Sequence, residues 1–276
     1  MSPEPASTQP ASTEPAATAP ITDERPTGIL DAPNDGRALH ASLQGVVYAR
    51  HPVRTHLVTA GDDALEVVRI YVTDLADDVR LVAVSERMVA ITQGRSYPMD
   101  QVKAGRLAKL LVRYVTRPGY GIGLGTPQTM QLAIDEVGAP RILFAAAASA
   151  ITKPFGIHGI FYRLAGRQAA AIDGPTSYTI PPYNQAATLG PSDPNGAARS
   201  MAAALGAPVA IIDANDAGCA VLGASPGVDR RFAQRIFADN PLGQAREQTP
   251  ICVVREVAWP AGDELPAEPQ RRLTPP

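Results

Sequence analysis

DPNGAARSMAAALGAPVAIID, residues 193–213, changes periodicity halfway through. Asp193 and Pro194 open it in the manner of a helix N-cap followed by proline at the first helical position, and Gly206 closes it. The sequence PVAIID (208–213) that follows is short, apolar and β-branched, which predicts a buried strand. A helix thus feeds directly into a strand whose far end carries Asp213, Asn215 and Asp216.

Downstream, VDRRFAQRIF (228–237) reads as a helix and ICVVREV (251–257) as a last strand. Upstream, Asp62 and Asp63 begin a helix on which Leu65, Val68, Val72 and Leu75 recur at helical spacing, with acidic residues at the positive end of the helix dipole. VRLVAVS (79–85) predicts a second buried strand, running into SERMVAITQGR and its Gly-Arg turn. Val102, Leu107, Leu110, Leu111 and Tyr114 form a further stripe on a helix expected to stop before Pro118. Strands and helices alternate irregularly, and the connections between about 152 and 192 are long and rich in Gly and Pro. That favours an α+β fold, with mixed sheets and flanking helices, over a regular doubly wound sheet.

The first 27 residues and those from 260 to 276 are dominated by Pro, Ala, Ser, Thr and scattered charges. Such segments bury too little apolar surface to offset chain entropy, so both are expected as disordered tails around one folded region at 38–259. Hydrophobic residues make up 45% of the chain but aromatic ones only 5%, which predicts a core of Ala, Val, Leu and Ile. A formal charge of -2 gives no basic footprint for nucleic acid or for a membrane surface. The longest apolar run, ILFAAAASAI (142–151), is about half of what spans a bilayer. Cys219 and Cys252 stand in apolar contexts without CxxC spacing, as buried reduced thiols do, and this fits a cytoplasmic protein acting on small molecules.

GYGIGLG (119–125) puts four glycines in seven positions immediately before Thr126 and Pro127. Thr126 is a good N-cap, and the helix is expected over 127–137 with Gly138 as its stop. Gly121, Gly123, Gly125 and Thr126 therefore lead into a helix N-terminus able to receive an anion. The Lys-Ser/Thr of a P-loop is absent and the spacing is not GxGxxG, so a pliant turn accounts for the same residues.

Carboxylates at the mouths of apolar strands are costly to bury unless paired or bound to a cation. Asp173 in AAIDGP, and Asp213 and Asp216 in IIDANDAG, are such residues, and with Gln244 of NPLGQ they offer oxygen ligands suited to Mg²⁺ or Mn²⁺. For each Asp taken singly, an Asx-type hydrogen bond to the following turn is the better account of the residue. Lys153, and Arg87, Arg95 and Arg141 at element ends, are candidates to meet phosphate, with surface ion pairs at least as good an account of each. The four histidines show no metal spacing, and no GxSxG or Cys-His arrangement is present.

Taken in order, GDD (61–63), RLVAVSERMVAITQGR, AAIDGP, GPSDPNGAARSMAAALGAPVAIID, VLG (221–223) and PLGQ before PICVVR resemble the gamma-glutamyl ligase of the deazaflavin coenzyme F-420. The resemblance covers residues 50–257 or so. It implies an α+β fold, a homodimer with intertwined strands, and a GTP- and divalent-metal-dependent reaction joining glutamate to the carboxylate of the coenzyme precursor. It further implies metal binding by Asp173 and by Asp213 or Asp216, with Gln244 as a third oxygen ligand. Two departures stand out: DANDAG lacks the arginine of the family's corresponding stretch, and Glu86-Arg87 replaces a Ser-Lys pair. The expectation is accordingly a ligase driven by GTP or ATP and acting on a small-molecule carboxylate acceptor and glutamate, with a non-catalytic nucleotide- or ligand-binding relative as the alternative.

Overall fold

A computed structural model describes residues 27–73, 75, 78–113, 123–157 and 159–271. In chain order the strands are β1 (Gly28–Ile29), β2 (His40–Leu43), β3 (Val46–Arg54), β4 (Val79–Ser85), β5 (Ser96–Pro98), β6 (Ala186–Thr188), β7 (Val209–Asn215), β8 (Gly218–Ala224) and β9 (Ile251–Val257). The α-helices are α1 (Ala64–Tyr71), α2 (Glu86–Thr92), α3 (Arg106–Leu111), α4 (Pro127–Val137), α5 (Ala139–Thr152), α6 (Ile160–Ala165), α7 (Arg167–Ala170), α8 (Pro194–Leu205) and α9 (Arg230–Ile236).

The fold is α+β, with a mixed, open sheet in the order β1-β3-β9-β4-β7-β8 and β2 paired to β3. Only β4 and β7 run parallel, in a register that sets Val82 beside Val209 and Ser85 beside Ile212. A parallel pair requires a crossover, and here the crossover is the whole stretch from α2 to α8. It carries a second, small sheet of β5 and β6, which Asp173 extends by bridging to Thr188.

Alternation along the strands divides the core in two. Val82, Val84, Val209 and Ile211 face α1, α2 and α8, meeting Val68, Met88 and Met201. Leu81, Ala83, Ala210 and Ile212 face the other way, onto Ala233, Ile236 and Phe237 around α9. A third cluster, including Leu124, Met130, Ile142 and Phe161, holds the helices of the crossover together. Truncating a fully buried strand residue such as Ile211 to Ala is worth about 2–5 kcal/mol.

Local chemistry explains the helix ends. Asp193 caps α8 by accepting from Gly196 N–H at 2.8 Å, and α8 ends at Gly206 with φ 66°. Gly223 has to be glycine, because a Cβ there would lie 2.2 Å from the backbone of Pro194, where α8 starts across β8. α4 begins at Pro127 with a reciprocal capping box between Thr126 and Thr129.

Four boundaries differ from those drawn on sequence. α1 ends at Tyr71 with Val72 as its C-cap, short of Leu75. The 102–114 stripe yields only α3, because Gly105 serves as N-cap and gives its N–H to Gln131 Oε1; Leu110 is 49% exposed, and Tyr114 lies outside the described residues. Pairing begins ahead of residue 38, with Gly28 opposite Arg54 and Ile29 opposite Val53. Beyond residue 260, Pro266 and Ala267 lie along β2, where their carbonyls accept from the hydroxyl and N–H of Ser42. The tail read at 1–27 falls outside the described residues except for Thr27. Both cysteines are free thiols, Cys252 buried and Cys219 half-buried. Among the described residues no helix is long and apolar enough to cross a membrane.

Candidate active site

Because Ser85 and Ile212 are neighbours in the parallel ladder, the residues that follow them come next to one another where the parallel pairing ends: Glu86 starts α2, and Asp213 continues β7 opposite Ala220. Carboxyl ends of parallel strands are where open sheets present ligands. Here they open into a cleft of about 610 Å³, within the range of small-molecule sites. Its other walls come from Thr55–Val58 after β3, the segment around Asp173 and the loop 242–250.

Glu86 is the first residue of α2, with Ser85 as N-cap accepting from Arg87 N–H at 3.3 Å. Burial, and then the negative charge of Asp213, push the Glu86 carboxyl up to about 7 against the opposing pull of Arg87. Burial also raises Asp213, whose neighbours Asn215 and Arg87 work in the other direction. Two like-charged groups therefore share a half-buried position at the base of the cleft. An added cation is what would let both ionise.

Arg87 reaches across the cleft. Its guanidinium forms an ion pair with the Asp173 carboxylate and also approaches the Thr179 hydroxyl at 3.4 Å. The backbone of Asp173 is fixed by paired bonds to Thr188, at 2.9 and 2.8 Å, so its side chain is carried by a strand-like segment. Asp216, at the tip of the β7–β8 hairpin, accepts from Arg37 at 3.0 Å. Neither Asp213 nor Asp216 has a turn-capping bond among those described; that role belongs to Asn215, which accepts from Ala217 N–H at 2.9 Å.

The cleft brings together Arg87, Asp173, Asp213, Asp216, Gln244 and Gly123 from the residues singled out on sequence. Gln244 is placed by a pinned loop: Asn240 holds a left-handed φ of 51° and bonds Gly243 O, while the buried Asn34 amide donates to Pro241 O, Leu242 O and Thr249 Oγ1. Gly125 and Thr126 are outside the lining, and the Thr126 hydroxyl is already taken by Thr129 N–H at 3.1 Å. Gly121 lies outside the described residues. Lys153 is exposed at the end of α5 and is not part of the cleft wall. Among the described residues of the glycine stretch, then, only Gly123 lines the cleft.

Two participants were not singled out. Glu86 was read with Arg87 as a charged pair, although it follows an apolar strand just as Asp213 does. His56 lines the cleft with both ring nitrogens engaged, Nδ1 by Tyr71 Oη at 2.9 Å and Nε2 by Asp62 at 3.2 Å. Thr59 N–H donates to Asp62 at 2.7 Å and, as the leading cause, holds that carboxyl below its ordinary range; the His56 contacts add to this. The adjacent Asp63 caps α1 through Leu65 and Glu66 N–H. The GDD stretch thus secures a helix start and a cleft histidine together.

Among the described residues no three His, Cys, Asp or Glu side chains stand close enough to enclose one ion. The donor set at the sheet end is a carboxylate pair, which suits a hard cation that takes its remaining ligands from water and phosphate oxygens. Fold and cleft define an α+β protein with an acidic pocket at the carboxyl ends of its parallel strands. No protein-family model and no curated protein matches the chain.

Proposed function

We propose that this protein is a divalent-metal- and nucleotide-dependent amide ligase of the kind represented by the coenzyme F-420 gamma-glutamyl ligase. The observation that supports it is the meeting of Glu86, Asp213 and Asp173, from three distant parts of the chain, around one cleft with Arg87 between them. A turn-capping origin for these acids would not require that meeting.

A carboxylate resists attack by an amine because its charge repels the nucleophile and oxide is a poor leaving group. Transfer of the terminal phosphoryl group of GTP or ATP to a carboxylate oxygen of the acceptor gives an acyl phosphate and the nucleoside diphosphate. The glutamate amine then attacks the acyl carbon, the C–O bond to phosphate breaks, and amide, phosphate and a proton are released. Glu86 and Asp213 are the residues suited to hold Mg²⁺ or Mn²⁺. When bound, the ion offsets the charge gathered between triphosphate and acceptor. Arg87 is the fixed cation of the cleft, kept in place by Asp173 and Thr179. Gln244 offers a neutral oxygen and amide at the opposite wall.

The test is phosphate release by the full chain supplied with GTP or ATP, Mg²⁺ or Mn²⁺, glutamate and the coenzyme precursor. Release that depends on both acceptor and amine, with one amide formed per phosphate, is expected. Nucleotide binding without release over a broad panel of acceptors would instead identify a non-catalytic relative.

A further inference from the structure

A second cavity, of about 630 Å³, lies on the far side of α6 and α7. Among the described residues its lining is Arg141, Tyr162, Arg163, Gly166, Gln168 and Ala170, with two guanidinium groups and no carboxylate. Tyr162 and Ala170 also line the acidic cleft, so the two spaces adjoin across these residues.

Arg141 is exposed, and one hydrogen bond anchors its guanidinium. Its Nε donates to Leu164 O at 3.0 Å, and its Nη2 lies over Gly166, where an added Cβ would come within 2.5 Å. Gly166 has a φ of 95°, a backbone shape that calls for glycine. Among the described residues neither Arg141 nor Arg163 has an acidic partner. The Tyr162 hydroxyl, at the partition, is buried, and among the described residues it makes no well-formed hydrogen bond; the Leu124 backbone is its polar neighbour. A buried hydroxyl so poorly satisfied is costly, and a shift toward an occupant of the cavity would relieve that cost.

We propose that this cavity is an oxyanion subsite, in which Arg141, Arg163 and the Tyr162 hydroxyl receive a carboxylate or phosphate group of the ligand whose reacting end lies in the acidic cleft. The extension to a single ligand rests on the ligase reading above; the subsite itself does not. Arginine suits the task because its planar fork matches either oxyanion. The contrast between the two spaces would also orient a ligand: a remote anionic group is attracted to the arginines and repelled from Glu86 and Asp213 until a cation is present.

Titration of glutarate, and separately of inorganic phosphate, into the full-length protein at low ionic strength tests it, with backbone amide shifts locating each anion. At least one of the two should bind and shift Gly166, Gln168 and Ala170, and the preferred anion names the group. Arg163→Gln should weaken that binding by about tenfold or more, as loss of a charged hydrogen bond does. Tyr162→Phe should weaken it as well, whereas a purely structural tyrosine would leave affinity unchanged. Mn²⁺ binding, followed by water-proton relaxation, should stay within about twofold in both variants, since the carboxylate pair is untouched. Failure of both anions to bind, shifts confined to the acidic cleft, or unaltered affinity in Arg163→Gln would each overturn the subsite. Normal Mn²⁺ binding in Asp213→Asn would count against the ligase reading alone.

Discussion

Two places in this molecule take charged side chains out of water, with opposite results. Arg50, 1% exposed, makes four hydrogen bonds from its terminal nitrogens: two to the Asp239 carboxylate, one to Ile236 O and one to Ala38 O. Charge of one sign meets charge of the other, and the pair ties β3 to the chain after α9. At the end of β4 and β7 the neighbours are Glu86 and Asp213, of the same sign, and each raises the cost of ionising the pair. The first cluster pairs its charges, although Arg50 Nε has no partner among the described residues, and is architecture. The second is open toward a cavity and keeps two carboxyls with raised titration together, an arrangement that clusters at functional sites.

The contrast can be broken most directly at its structural pole. Arg50→Met should cost about 3–5 kcal/mol, because Asp239 is then left without its partner. Urea midpoints at pH 7 measure this, and adding Asp239→Leu should recover much of the loss. A cost below about 1 kcal/mol for the single change would remove Arg50 from the architectural side. At the open pole, Asp173→Asn should leave the urea midpoint within about 0.5 kcal/mol, since the Arg87–Asp173 pair is partly solvated, with side-chain exposures of 28% and 42%. Metal-dependent phosphate release by the same variant should fall by about 10²–10³-fold, as when one fixed charge-stabilising group is removed. Near-normal release would reduce Asp173 to an ion-pair partner.

The poles also differ in how far the sequence foretold them. Elements made by local signals were readable: α8 between Asp193 and Gly206, α4 after Thr126-Pro127, and the apolar runs of β4, β7 and β9. Periodicity alone overextended α3, since a hydrophobic stripe does not register Gly105 as a helix start. Composition missed β1 and Asn34, because a polar segment can still be anchored by a few backbone and amide bonds. For the cleft, acids at strand mouths led to Asp213 and Asp173 but not to Glu86. Its significance depends on the register of Ser85 with Ile212, a pairing between distant segments that no local pattern carries. His56 stayed hidden for the same reason: its partners Asp62 and Tyr71 reach it through a turn and a helix.

The pH dependence of stability sharpens the comparison further. Glu86 titrates near 7 in the folded protein, against an ordinary value of 4.5, and Asp213 is also raised. A carboxyl whose folded value lies above its unfolded one binds protons more tightly in the folded state. Its contribution is complete below about pH 4.5 and is lost as pH rises through 7. The metal-free protein should therefore lose stability over that interval by something on the order of 2–3 kcal/mol. Glu86→Gln should flatten the profile, and Mn²⁺ should restore stability at the upper end while releasing protons near pH 7. A profile as steep in Glu86→Gln as in the wild type would place its origin outside the carboxylate pair.

The smallest expected effect separates two aspartates only three residues apart. Asp216 borders the same cleft as Asp213, but it already has a cationic partner in Arg37, which also donates to Asp239 O at 2.8 Å and so links the hairpin tip to the Arg50 cluster. A carboxylate held by a mostly buried guanidinium gains less from a metal ion than one facing another carboxylate, because its charge is balanced before the ion comes. Asp216→Asn should change Mn²⁺ affinity by less than about twofold and stability by about 0.5–1 kcal/mol, the range of a partly exposed pair. Asp213→Asn should weaken Mn²⁺ by about tenfold or more, as expected for loss of a charged ligand. The reverse ordering in relaxation titrations of the two variants would move the cation from the sheet end to the hairpin tip, and Asp216 would then belong with the open pole while Glu86 and Asp213 would need another counter-charge.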